Sequence, residues 1–211
     1  MILKLSPDDS IIFKLFYDVQ LILNRSTQNL KQDHLTARRI RDIALRCSDK
    51  LYANENIPLE DIEIISVVIE EFVDRFHHGK EEQAYFPQTK HKNGFEEDIR
   101  KFLIEHELGR RIARMLLKEL KKWRTSSSDT GREPVARFLK SYAVFITDHT
   151  GKEDIFFDLI EEKGSISDVE DEMLIRHYET CTKIAGGKER IEQMLKLVDY
   201  LENRKWMKLA N

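Results

Sequence analysis

Apolar residues recur every three or four positions along most of this chain, the spacing that lines side chains up on one face of an α-helix. Nothing alternates with period two over the length of a strand. Ser6-Pro7-Asp8-Asp9 supplies an N-cap, a first-turn proline and two acids at the positive helix end, and with the apolar run Ile11 to Leu23 it predicts a helix over 7–26. Further helices follow over 33–53, stopped by Asn54-Glu55-Asn56-Ile57-Pro58, and over 59–89, with Pro87 ending or kinking the last turn. A fourth covers 95–123, and a fifth runs from Pro134 to 163 with Gly164 as its stop. Ser165 or Ser167 caps a last region to 205 that Gly186-Gly187 splits in two. The prediction is all-α: an antiparallel four-helix up-down bundle over 30–163, an extra N-terminal helix in 1–29, and C-terminal helices in 164–211 packed on the bundle. A rival division makes 7–26 the first bundle helix, with Ser10 or Asp18 facing the core and His34 in a surface loop.

Composition narrows the function classes. Only 8 Gly and 4 Pro among 211 residues leave too few turn residues for a many-stranded sandwich or a dinucleotide-binding sheet. Lys+Arg 35 against Asp+Glu 38 gives a net charge of −3 with no block of one sign, which argues against a nucleic-acid partner. No stretch approaches the ~18 uninterrupted apolar residues of a membrane span, and MILKLSPDDS lacks the apolar core of a signal peptide, so a cytoplasmic chain without a membrane partner is expected. Cys47 and Cys181 have neither metal-ligand nor disulfide-framework spacing, and read as reduced thiols. There is no Ser/His/Asp or Cys/His arrangement and no phosphate-cradling glycine loop. The distinctive residues are the seven histidines.

Four of them fall one to a stripe. The rows are Leu30, His34, Ala37, Ile40, Ala44, Cys47, Leu51, then Ile65, Ile69, Val73, His77, Glu81, Tyr85. The third is Ile99, Phe102, His106, Gly109, Ala113, Leu116, Leu120, and the fourth Tyr142, Phe145, His149, Glu153, Phe157. Antiparallel turns would bring His34 level with His77 and His77 level with His106 to about one residue rise of ~1.5 Å, and His106 with His149 to about 3 Å. One histidine on an apolar face reads as a hydrogen-bonded core residue, but four imidazoles with two carboxylates in one layer carry a heavy desolvation cost unless a cation offsets it. Six N/O ligands exceed a four-coordinate zinc site and suit two octahedral first-row ions bridged by carboxylates, with positions left for an exogenous ligand. Iron is the first choice, with manganese or zinc as substitutes. Phe76, Phe145 and Phe157 would wall the site. His78 and Glu82 lie on the polar row Glu70, Asp74, His78, Glu82 and read as outer residues. His91 and His177 read as surface residues, and Lys80 and Lys152 as solvated. Arg110 either pairs with a carboxylate near the site or is simply exposed.

In these residues the chain resembles the hemerythrin-like family of HHE cation-binding domains. The matching text is Asp33-His34, FVDRFHHGKEEQAYFP at 72–87, EHELGR at 105–110 and DHTGKEDIFF at 148–157, within roughly 30–163. Carried across position by position, the resemblance implies the same six metal ligands, His34, His77, Glu81, His106, His149 and Glu153. It further implies a non-haem di-iron centre that meets oxygen, nitric oxide or peroxide. Two departures from the invertebrate oxygen carriers speak against simple reversible oxygen carriage. Arg110 stands where those have a second histidine one turn along the third helix, and Glu153 supplies a carboxylate where they place an aspartate one residue later. The alternative is an iron- or oxygen-responsive regulatory module in which metal occupancy controls stability. The apolar face Ile11, Ile12, Leu15, Phe16, Val19, Ile22, Leu23 would be covered by the bundle or by a second copy in a homodimer.

Overall fold

The computed structural model describes residues 25–126 and 129–208, and no strand occurs among them. Six helices carry the fold: α1 (Arg25–Tyr52), α2 (59–89), α3 (Glu96–Thr125), α4 (Arg132–Glu162), α5 (Asp168–Ile184) and α6 (Lys188–Glu202). Of the helix predicted over 7–26, only Arg25 and Ser26 lie within the described residues, and both belong to α1. The first bundle helix therefore starts earlier than the predicted residue 33. Asp171 on α5 accepts the Ser26 backbone N–H at 2.8 Å and its hydroxyl at 2.6 Å, which ties α1 to α5.

The remaining boundaries follow local chemistry. Asn93 and Gly94 take positive φ ahead of α3, and α4 opens at Arg132 with Pro134 in its first turn, where a missing N–H costs nothing. Ser167 and Glu170 form a reciprocal capping box on α5. Gly186 and Gly187, at φ 104° and 86°, make the break before α6.

α2 departs from regular geometry. Leu59–Val68 is α-helical, Ile69–His78 and Glu81–Tyr85 are π-helical, and Phe86–Thr89 closes the helix in α form. The second widening ends just before Pro87, which has no N–H to give the carbonyl four residues back. Widened turns of this kind gather at functional sites.

α4 packs along α1 and α3, α2 lies against α3 and α1, and α5 and α6 cover α1 and α2. Asp61 on α2 is fully buried and fixes the chain after α6, accepting from Trp206 Nε1 at 2.7 Å and Arg204 Nε at 2.8 Å. Two apolar clusters result. Ile40, Cys47, Ile65, Phe72, Leu116 and Leu139 belong to one, and Leu30, Tyr85, Phe86, Phe102, Phe157 and Ile160 to the other. The four histidine-bearing stripes pass from one to the other through a shared polar layer.

Gly109 sets the closeness of α3 and α4. A Cβ there would stand 2.5 Å from Phe145 Cε1, and the Phe145 ring stacks on His149 at a centroid distance of 5.1 Å. Gly109→Ala is expected to cost ~1–3 kcal/mol of unfolding free energy in a urea titration, as overpacking does. An unchanged midpoint would mean that the ring swings aside freely.

Candidate metal centre

The polar layer takes side chains from all four long helices: His34 from α1, His77, His78 and Glu81 from α2, His106 from α3, His149 and Glu153 from α4. All seven are buried. His34 therefore lies inside α1 and not in a surface loop, as the rival reading had it.

The two carboxylates sit at the middle. Glu153 Oε2 is 3.3 Å from His34 Nε2 and 3.2 Å from His149 Nε2, and its Oε1 is 3.3 Å from His106 Nε2. Glu81 Oε1 is 3.4 Å from His77 Nε2, and Oε2 is 3.4 Å from His106 Nε2. Two groups of ligand atoms close to within 4.8 Å of one another, one made by His34, His77, Glu81 and Glu153, the other by His78, His106 and His149.

Outside this layer the carboxylates are handed from helix to helix. Asp33 of α1 faces His77 Nδ1 at 3.5 Å, Glu82 of α2 is 2.7 Å from His106 Nδ1, and Glu105 of α3 is 2.9 Å from His149 Nδ1. Asp154 of α4 closes the ring at 2.7 Å from His34 Nδ1. Each of these four imidazoles thus turns Nδ1 to an acid on another helix and Nε2 inward, with a hydrogen bond at His34, His106 and His149 and a longer contact at His77. A carboxylate behind Nδ1 holds the proton there and leaves Nε2 with a free lone pair, the arrangement in which histidine binds metals. Each of these acids in turn meets a cation: Asp33 meets Lys80, Asp154 meets Arg38, Glu105 meets Lys152 at 2.7 Å, and Glu82 meets Arg110 at 2.7 Å. Arg110 also donates from Nε to Asp74 at 2.7 Å, which settles its role as a partner of carboxylates.

Burial sets the protonation pattern. Desolvation pushes His77, His78 and His106 well below the usual imidazole range and also lowers His34 and His149, so the rings are neutral. It pushes Glu81 and Glu153 well above the usual carboxylate range. The hydrogen bond with His149 holds Glu105 down to about 2. His34 Nε2, His77 Nε2, His149 Nε2, both oxygens of Glu81 and Glu153 Oε2 are buried with no hydrogen-bond partner. Ionised carboxylates facing imidazole lone pairs in an apolar surround are disfavoured until a cation joins them, and burial accordingly shifts both acids toward their protonated form. Neutral imidazoles and hard oxygens suit first-row divalent ions, so the residues present fit a metal centre.

Two expectations from the sequence fail here. Lys80 is not solvated: it is 1% exposed, donates to Asn29 Oδ1 at 2.7 Å and lies 4.1 Å above the Phe76 ring, under the cover of α5. His78 is not an outer residue either, being 3% exposed. Counting by the α-helical period put it on the polar face, and the extra residue per turn of Ile69–His78 rotates it inward beside His77. Glu82, placed outside with it, is half-buried between His106 and Arg110. His91 and His177 are exposed, and Lys152 stays largely so.

The apolar stripes do not predict the ring of outer carboxylates, although the sequence carries a signal of it. Each of those acids is the sequence neighbour of an inner residue, in Asp33-His34, Glu81-Glu82, Glu105-His106 and Glu153-Asp154. The family model described as hemerythrin HHE cation binding domain matches residues 25–160, a span that runs from the first residue of α1 almost to the end of α4. No curated protein and no solved structure matches the chain.

Proposed function

Because this chain belongs to the hemerythrin HHE cation-binding domain family, we propose that it holds a carboxylate-bridged pair of iron ions and binds or reacts with a small ligand such as oxygen, nitric oxide or peroxide. His34, His77, Glu81, His106, His149 and Glu153 hold the ions, and the four long helices form an antiparallel up-down bundle around them. The observation that carries this reading is the group of buried, unpartnered acceptors converging from four helices. Bound iron would supply Lewis acidity and one-electron redox chemistry at the positions left free of protein ligands.

The chain's own residues do the rest. Asp33, Glu82, Glu105 and Asp154 fix the ring orientations and keep each Nε2 unprotonated. Phe145 and Phe157, stacked on His149 and His34, and Phe86, stacked on His106, keep bulk water from the layer. A cavity of about 290 Å³ between α2, α3 and α4, lined by Ile69, Val73, His78, Gly109, Tyr142 and Phe145 among others, gives a small ligand a way in.

Anaerobic reconstitution with ferrous iron tests the proposal. About two irons per chain should remain after desalting, and the oxidised sample should show an absorption band that moves when azide is added. A protein that retains no iron overturns the reading. The same sample stripped of iron separates carrier or enzyme from a metal-responsive module. The second reading is favoured by the ligands' origin on four different helices, and it requires the iron-free form to lose fixed aromatic packing by near-ultraviolet circular dichroism.

A further inference from the structure

We propose that His78 supplies a fifth imidazole to the centre, so that His78, His106 and His149 together hold one of the two cations and the cavity beside α2 leads to that ion. The proposal rests on the two-cation reading above and assigns it a ligand that the six-residue set leaves out.

Several independent features of the ring carry it. His78 offers a ring nitrogen within 4.8 Å of those of His106 and His149, a spacing that one ion can close. The His149 ring stands edge-on to that of His78 at a centroid distance of 5.5 Å, and the His106 ring is stacked parallel at 3.8 Å, so closing one ion between that pair requires the two rings to tilt. Neither of its nitrogens has a hydrogen-bond partner, although the side chain is buried. A histidine kept only to fill a core would be expected to satisfy at least one nitrogen, or to give way to an apolar residue.

The surroundings repeat those of the other four imidazoles. Nδ1 of His78 faces Asp74 Oδ1 at 3.5 Å, and Asp74 is held by the same Arg110 that holds Glu82 behind His106. One guanidinium therefore sets the carboxylates behind two rings. The acid behind His78 comes from its own helix, one turn back, because the four inter-helix acids are already engaged in the ring. The widened turn of Ile69–His78 is what brings two consecutive histidines to the layer, and a distortion of that length would be costly to keep for packing alone. Of the candidate ligands, His78 is the one that lines the cavity, so the ion it serves is the one an incoming molecule reaches first.

Iron counting on reconstituted variants tests the assignment. The wild-type chain should carry about two irons, His78→Ala about one, His34→Ala about one, and the double variant close to none. His78→Phe restores a ring against His106 without a nitrogen, and should stay at about one iron. Circular dichroism should show unchanged helix content throughout. If His78→Ala keeps both irons, or the double variant matches His34→Ala, His78 is no ligand and the proposal falls while the two-iron reading stands. Recovery of the second iron by His78→Phe would likewise overturn it, since packing would then explain the loss. A wild-type chain without iron overturns the two-iron reading, and this proposal with it.

Discussion

Exchanging Glu153 for glutamine is expected to take the reconstituted protein from about two irons per chain to less than one, while making the iron-free protein more stable. The two effects share one cause. Glu153 touches imidazoles from α1, α3 and α4, with oxygens 3.2–3.3 Å from three Nε2 atoms. Glu81 also meets rings of three helices, but its approach to His34 Nε2 is longer, 3.9 Å. An amide of the same shape cannot bridge two cations as a carboxylate does, so both positions weaken together. Without metal the position is an unfavourable one for a carboxylate. Burial drives its ionised form out of favour, and Oε2 has no donor. Glutamine offers an N–H to an Nε2 lone pair without first having to take up a proton, and relief of one buried unsatisfied group is worth ~1–3 kcal/mol. Urea unfolding of the metal-free variant, beside metal analysis of the loaded one, reads both signs. A Glu153→Gln protein that kept both irons would show that Glu153 is not shared between them. Loss of stability in the metal-free state would show that the layer is built to stand without a cation. A site that destabilises its empty fold is the usual sign of residues kept for function.

How far the sequence reaches depends on the helical period holding. Where it holds, the reading is close. The rows through His34, His106 and His149 run at regular spacing in α1, α3 and α4, which are regular helices, and all of their histidines face the common layer. Where it fails, the reading fails with it. In α2 the i→i+5 turns carry His78 from the predicted polar face to the interior, and nothing in FVDRFHHGKEE announces the extra residue. Contacts between helices are the second limit. Asp171 of α5, far along the chain, accepts from the N–H and hydroxyl of Ser26 on α1, a contact that rules looking only a few residues ahead could not find. The pairing of Asp33 with His77, or Asp154 with His34, follows from which helix neighbours which. Acids beside inner ligands are visible in the sequence, but their partners are a property of the packed bundle.

Replacing Lys80 by methionine is expected to cost ~3–5 kcal/mol of stability, an outcome opposite to that of a solvated lysine. The ammonium lies under α5 with 1% exposure, ion-paired to Asp33, hydrogen-bonded to Asn29 and within cation–π range of Phe76 and Tyr178. Removing it leaves the Asp33 carboxylate buried without its counter-charge. Burial already raises the Asp33 carboxyl above the usual range, with Lys80 working in the other direction. Once the cation is gone, Asp33 gives up its charge or its place. Either change reaches the centre, because Asp33 is the acid behind His77 Nδ1, and loss of such a support lowers metal affinity by roughly 10–100-fold. The second variant distinguishes lost charge from lost packing. Asp33→Asn combined with Lys80→Met removes the pair together and should recover most of the stability, since a buried ion pair exchanged for neutral groups of like size is close to neutral in energy. Iron affinity should stay low in the double variant, because an asparagine behind His77 polarises the ring less than a carboxylate. Equal stability of the wild-type and Lys80→Met proteins in urea would mean that Lys80 reaches solvent after all. Full recovery of iron binding in the double variant would detach Asp33 from the centre, and with it the first link of the ring that passes from α1 through α2 and α3 to α4.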